Sequence, residues 1–98
     1  MNRLVRFGPA ARAELTEAVA WYDKQAPALG GRLTAEIDAC VARIAANPLR
    51  FPIAMNDVRR APVRHFPYSL FFRFDDAHVF VIACFHARRD PAAWQARS

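Results

Sequence analysis

FPYSLFFRFDDAHVFVIACFHARRD, residues 66–90, is the stretch that decides the fold. From Tyr68 to Phe74 the pattern is that of a strand with two distinct faces, and residues 79–85 are apolar throughout. The second pattern is typical of a central strand that is covered on both faces. Asp75–His78 supplies a turn between them. The sequence therefore predicts a β-hairpin whose second strand ends in a basic stretch, residues 86–90.

The side chains of the predicted hairpin divide between two faces by strict alternation. One face of the first strand carries Tyr68, Leu70, Phe72 and Phe74. One face of the second strand carries Phe80, Ile82, Cys84 and His86, and Arg88 continues the same order. We therefore expect His86 to share a face with Phe80.

The first half of the chain predicts a short strand and two amphipathic helices. Residues 4–7 form the strand, and Gly8-Pro9 starts the first helix, because proline suits the first helical position. Apolar residues recur at steps of three and four from position 11 to 26, and again from 33 to 44. The sequence PALGG, residues 27–31, separates the helices, and Asn47-Pro48 ends the second.

The remaining segments complete an α+β domain. Residues 49–57 are predicted to form a loop and residues 58–65 a strand. Within that strand Pro62 has no backbone N–H to donate to a neighbouring strand. That strand is therefore expected at an edge, or with a bulge. Residues 92–97 form one or two helical turns. The order β-α-α-β-β-β predicts an N-terminal helical hairpin packed on a mostly antiparallel sheet, in a single domain over residues 1–98.

Composition bounds the class of protein. Of 98 residues, 54% are apolar, and no apolar run is long enough to cross a membrane. The opening residues lack a secretion signal, so a cytoplasmic location is expected. Cys40 and Cys84 lie in apolar patterns typical of reduced core cysteines. No cluster of ligand residues has metal-binding spacing, so neither a metal nor another cofactor is expected.

Charge points to an acidic partner. The chain carries a net charge of +5, and residues 50–98 hold eight arginines against four acidic side chains. Arginine forks suit phosphates and carboxylates, which indicates nucleic acid or an acidic protein segment. Familiar hydrolase sites are disfavoured, because Ser69 and Cys84 lie inside strands and no glycine-rich phosphate loop is present.

The basic residues near the hairpin are the remaining candidates for function. An antiparallel arrangement places the end of the last strand near the start of the third, which would bring His86 and Arg88 beside Arg64, His65 and Tyr68. Such a patch could grip phosphates or assist RNA cleavage, with His86 as acid or base. The alternative is that Arg88 pairs with Asp90 or with a carboxylate of a helix, and that His86 is a hydrogen-bonded histidine at a strand end.

Each of the two tryptophans has two possible roles. Trp21 falls on the flank of the first helix with Glu14 and Glu17, where it either covers the edge of the core or docks a partner. Trp94 either packs the C-terminal turn on the sheet or takes part in target binding.

The sequence resembles the RelE/ParE superfamily of toxins from bacterial type II toxin–antitoxin modules, and the ParE-like branch more closely. The resemblance is carried by the adjacent aromatics Trp21-Tyr22 and by three segments. These are ARIAANP at 42–48, VRRAPVRHFPYSLFFRF at 58–74 and VIACFHARRDPAAWQAR at 81–97.

The resemblance implies a toxin that a cognate antitoxin silences by wrapping its C-terminal segment around the helical hairpin and the sheet. The implied antitoxin contacts are Trp21, Tyr22 and Leu33. ParE-like toxins inhibit DNA gyrase by binding, without a catalytic site of their own. Seven residues are expected either to bind the target or to keep the local structure of the toxin intact. They are Arg59, Arg60, Arg64, His86, Arg88, Arg89 and Trp94.

Two alternatives stay open. RelE-like toxins cut mRNA in the ribosome, and here Arg64, His86 and Arg88 would carry that chemistry. Many RelE-like nucleases use a tyrosine or lysine near the C-terminus, whereas this chain has no tyrosine after Tyr68 and no lysine after Lys24. The other alternative is an inactive relic of such a toxin.

Overall fold

The computed structural model describes residues 2–98 as two long helices on one face of a five-stranded sheet, with a short C-terminal helix on the other. In chain order the elements are β1 (Leu4–Phe7), α1 (Pro9–Gln25), α2 (Leu29–Ala46), a 3₁₀ turn (Pro48–Arg50), β2 (Ile53–Met55), β3 (Val58–Pro62), β4 (Tyr68–Phe74), β5 (His78–His86) and α3 (Ala92–Gln95). The predicted α+β class is confirmed. No helix in the described residues is long and apolar enough to span a membrane.

The sheet has the order β1-β5-β4-β3-β2. Only the β1–β5 pair is parallel, so the sheet is mostly antiparallel, as predicted. The loop expected over residues 49–57 contains β2, so β3 is not an edge strand. The N–H of Arg60 points toward β2 and donates to the Pro52 carbonyl (3.1 Å). Pro62 has the same orientation two residues later, beyond the end of β2, where a missing donor costs little.

The main core lies between the helices and the sheet. Leu33, Ile37 and Cys40 of α2 pack there with Leu70 and Phe72 of β4. Both cysteines are buried and free, as predicted. This core continues under α1, where Ala11 and Ala18 are buried and Leu15, Val19 and Tyr22 are partly buried.

A smaller core lies on the opposite face of the sheet, under α3. Trp94 stacks on Phe71 with 4.1 Å between ring centroids and is 4% exposed. Val58, Ala83 and Phe85 complete this cluster. The C-terminal turn is thereby fixed to the sheet, and Trp94 takes the packing role among the two considered.

A β-bulge reverses which face of the sheet each side chain at the end of β5 lies on. Phe71 pairs with Ala83 while Phe72 pairs with Val81, so Ile82 is an extra residue. The expected alternation was therefore wrong. Beyond the bulge Cys84 belongs to the core under the helices with Val81, whereas Phe80 lies on the opposite, exposed side.

The break between the helices is shorter than predicted, because both glycines belong to α2. Ala28 makes the turn with a left-handed backbone conformation (φ 68°), and the helix begins at Leu29. At Gly30 the backbone N–H donates to the Asp23 carboxylate (3.0 Å). A Cβ at position 30 would collide with that carboxylate and lie 2.7 Å from the Val19 carbonyl oxygen. The glycine is therefore required by the close approach of α1 and α2.

We expect Gly30→Ala to destabilise the protein by about 1–3 kcal/mol, because the added methyl group overpacks this contact. Gly31→Ala is the matched control. A Cβ at Gly31 meets nothing within 4 Å, so alanine should stabilise the helix by about 0.5–1 kcal/mol. Urea denaturation of the two variants measures both effects. Equal changes would contradict the close-approach argument.

Candidate functional site

The candidate site is a cleft between α1 and the C-terminal end of β5, with a volume of about 280 Å³. We call it the α1–β5 cleft; it is lined by Glu14, Glu17, Ala18, Trp21, Tyr68, Cys84, His86 and Arg89. An adjoining opening of about 320 Å³ is lined by Trp21, Tyr22, Tyr68 and His86. The predicted flank of α1 and the predicted strand end therefore meet at one site.

The cleft forms where β5 extends beyond its neighbour β1. The pairing of the two strands ends at Phe7 and Val81, so the later residues of β5 have no strand on that side. Side chains bond to its backbone instead. The Cys84 N–H donates to Glu14 Oε1 (3.1 Å), and Arg97 Nη1 donates to the Ile82 carbonyl (3.0 Å). Glu14 and Arg97 thus replace a strand at this edge.

Glu14 is the centre of a charge cluster. Both nitrogens of the Arg97 fork donate to its two carboxylate oxygens (2.9 and 3.0 Å), and Arg89 Nη1 donates to Oε2 (2.6 Å). The Glu14 side chain is 9% exposed. Burial by itself raises the pKa of Glu14, but the hydrogen bonds from Arg97, Cys84 and Arg89 and the charge of Arg97 outweigh it. The net result is a lowered pKa, so Glu14 is ionised near neutral pH.

The other shifted groups of the cleft are held in their neutral forms. Burial, together with the charge of Glu14, raises the pKa of the Cys84 thiol to about 12. Burial also raises the pKa of Tyr68. A thiol with such a pKa carries almost no thiolate at neutral pH and is a poor nucleophile.

Aromatic rings form the outer wall of the site. Tyr68 and His86 are cross-strand partners, and their rings meet edge-on with centroids 5.1 Å apart. Trp21 and Tyr22 meet in the same way at 4.9 Å, and Trp21 is 55% exposed. The expected proximity of His86 to Tyr68 is therefore confirmed.

The rest of the expected basic patch does not gather around His86. The Nδ1 atom of His86 accepts a hydrogen bond from the backbone N–H of Arg88 (3.0 Å), which fixes the turn after β5. The Nε2 atom of His65 lies 3.5 Å from the Oε2 atom of Glu36 in α2. Arg64 lies near Cys40, where its charge opposes the rise in the thiol pKa that burial causes. These two residues thus belong to the α2 side of the molecule.

The other residues predicted to contact partners lie in varied environments. Arg59 donates to the Phe51 carbonyl (2.7 Å), whereas Arg60 is exposed. Leu33 is fully buried beneath the helices, and Trp94 is buried under α3. Their assignments to a target or an antitoxin stay predictions.

Glu14 and Arg97 are the residues that sequence reasoning missed. Glu14 was placed on the correct flank of α1 beside Trp21, but without a partner. The available signal was the difference in length between the first strand, four residues, and the last strand, nine residues. It becomes informative only once the parallel pairing of these two strands is known.

We expect Glu14→Gln to lower the free energy of unfolding at pH 7 by about 3 kcal/mol, since it breaks a largely buried charge cluster. The Glu14 pKa is lowered on folding, so its contribution is present above the unfolded pKa and is lost as the pH falls through the folded pKa. The difference between wild type and Glu14→Gln should therefore shrink toward pH 3.

Glu17→Gln is the control, because Glu17 is exposed on the same face of α1. It should change stability by less than about 0.5 kcal/mol at either pH. Chemical denaturation at several pH values tests both variants. A Glu14→Gln difference that stays constant from pH 7 to pH 3 would show that the carboxylate is not the source of the stabilisation.

Residues 5–91 match the family described as the ParE toxin of the type II toxin–antitoxin system parDE. No curated protein matches the sequence.

Three solved structures share the fold, each aligned with 88% of this chain. The chromosomal ParDE system from P. aeruginosa superposes with a TM-score of 0.76 at 16% identity, over 97% of that chain. The RelBE2 toxin–antitoxin complex from Mycobacterium tuberculosis gives 0.62 at 24% identity, over 99% of that chain. The YoeB dimer from Staphylococcus aureus gives 0.61 at 17% identity, also over 99%. Identities at this level show the fold alone.

Proposed function

The chain belongs to the ParE family of toxins from type II toxin–antitoxin systems, and we propose that it arrests growth by binding the topoisomerase DNA gyrase. In this proposal the toxin catalyses no reaction of its own, and a cognate antitoxin neutralises it. The match over residues 5–91 includes the helical layer and the α1–β5 cleft.

The observation that carries this proposal is the state of the ionisable groups in the cleft. Glu14 has a lowered pKa and both of its oxygens engaged, so it is a weak base. Cys84, with a pKa of about 12, is a poor nucleophile. A catalytic acid, base or nucleophile works best with a pKa near the operating pH. The cleft is better suited to binding than to chemistry.

The residues that RNA cleavage would require also support binding. Within residues 2–98, no hydrogen bond and no cleft described above joins Arg64 to His86. The Nδ1 atom of His86 is occupied by the Arg88 backbone, which leaves only Nε2 for an external group. RNA cleavage places extra negative charge on the phosphate in the transition state, and stabilising it needs several charged groups directed at one point.

The proposed target surface lies where β5 ends, on the face that carries α3. Arg60, His86 and Arg89 line a smaller cleft of about 170 Å³ there, together with Trp94. Arg60 and Arg89 are exposed. We assign direct contacts on this surface to exposed Arg60, Arg88 and Arg89, together with His86. Arg64, on the α2 side, would contact the target separately. Arg59 and Trp94 would maintain the surface from within.

The proposed antitoxin surface lies along α1. Trp21 and Tyr22 offer exposed and half-buried aromatic area there, and Leu33 supports the helical hairpin from the core. Partly exposed aromatic residues are favoured anchors for protein partners. The P. aeruginosa and M. tuberculosis relatives are described as toxin–antitoxin systems, which agrees with such a partner here.

The proposal predicts that the purified protein inhibits DNA supercoiling by gyrase in a concentration-dependent manner and leaves mRNA intact on translating ribosomes. Arg60→Ala and Arg89→Ala should each weaken inhibition by about tenfold, the loss of one charged hydrogen bond. Arg32→Ala, an exposed arginine of α2, is the control and should leave inhibition unchanged.

The same assay distinguishes the alternatives. If the protein instead cuts mRNA at defined codons, leaves gyrase unaffected and loses cleavage in His86→Ala, it is a ribonuclease and the proposal is wrong. Folded protein that affects neither gyrase nor mRNA would indicate an inactive relic.

A further inference from the structure

The aromatic opening beside the α1–β5 cleft has the features of a cation-binding site. We call this opening the aromatic box; its walls are Trp21, Tyr22, Tyr68 and His86, and its volume is about 320 Å³. We propose that the aromatic box receives one Lys or Arg side chain from a protein partner. This proposal does not depend on gyrase being the target.

The rings of the box stand at steep angles to one another. Trp21 and Tyr22 cross at 87°, Tyr68 and His86 at 83°, and Tyr22 and Tyr68 at 66°, with centroids between 4.9 and 6.3 Å apart. Rings arranged in this way enclose a corner instead of stacking into a flat surface. The face of an aromatic ring carries partial negative charge and attracts a cation within about 6 Å of its centroid.

A carboxylate at the rim adds full negative charge. Glu17 lines the adjoining cleft, is exposed and makes no ion pair within residues 2–98. Burial raises the pKa of Tyr68, and the charge of Glu17 adds to the rise, so the carboxylate lies near the phenol. The charge of Glu14 is balanced by Arg89 and Arg97. Glu17 is therefore the carboxylate still free to attract an incoming cation.

The surroundings favour a cation over an apolar side chain. Trp21 is 55% exposed, so the box is open to water and an apolar occupant would bury only part of its surface. A Lys or Arg side chain can lay its apolar stem on the rings and keep its charged end partly hydrated beside Glu17.

The size of the box limits the ligand. Its volume lies at the lower end of the range for small-molecule sites. It suits a single side chain, presented by a segment that runs along α1, and is too small for a nucleotide cofactor. The inference adds a chemical requirement to the predicted antitoxin surface, namely a basic anchor residue on the partner.

The test follows the two tryptophan indole N–H signals by NMR while N-acetyl-arginine amide is added. Trp21 should shift saturably with an affinity in the millimolar range, whereas Trp94, buried under α3, should not move and serves as an internal control. N-acetyl-citrulline amide, a neutral isostere, and N-acetyl-norleucine amide, an apolar analogue, should shift Trp21 at least threefold less at equal concentration.

A charge-matched pair of variants tests the role of the rim. Glu17→Gln should weaken arginine amide binding about threefold, while Asp38→Asn, which removes the same charge from an exposed site on α2, should not. The proposal is overturned if the citrulline or norleucine derivative shifts Trp21 as strongly as the arginine derivative. It is also overturned if Trp94 moves together with Trp21, or if both variants weaken binding equally.

Discussion

On the side where β1 ends, the C-terminal half of β5 has no neighbouring strand, and the carboxylate of Glu14 takes the place of one. Unpaired backbone groups at a sheet edge invite pairing with other chains unless they are covered. Here Glu14 binds the Cys84 N–H while Arg97 binds the Ile82 carbonyl and Glu14 itself. One charge cluster therefore connects α1, the central hairpin and the C-terminal turn, and it determines where α1 lies relative to the end of β5.

The shape of the candidate site follows from this connection and from the bulge at Ile82. The bulge brings the end of β5 back into alignment with the helical face, so His86 meets Tyr68 near α1 rather than sharing a face with Phe80. The hydrogen bonds that Glu14 makes at the edge of β5 keep it ionised and occupy both of its carboxylate oxygens. The cleft thus has an aromatic wall and a buried carboxylate that is already engaged in ion pairs, which is the physical reason for proposing a binding toxin.

Local patterns were sufficient to predict most of the fold. The hairpin, both helices, the proline that starts α1 and the Asn47-Pro48 stop depend on neighbouring residues and were found correctly. The start of α2 was missed, since Gly30 is required by a contact with α1 and not by a turn.

The errors at the site have a common origin in distant pairing. The bulge, the additional strand β2 and the Glu14–Arg97 pair all depend on how separated segments align, and no local pattern encodes that alignment. The sequence predicted that His86 and Tyr68 lie side by side, which the pairing of β4 and β5 confirms. It did not reveal that Arg64 lies near Cys40 of α2. It left open whether Trp94 packs on the sheet or binds a target, and the structure shows that Trp94 is buried.

Hydrogen exchange at the Cys84 amide tests most directly whether side chains close the edge of β5. The account predicts that this N–H exchanges as slowly as the β5 amides that β1 pairs, and that Arg97→Ala accelerates it selectively by releasing Glu14. Exchange at Cys84 as fast as in an unstructured peptide, or protection unchanged in Arg97→Ala, would contradict the account.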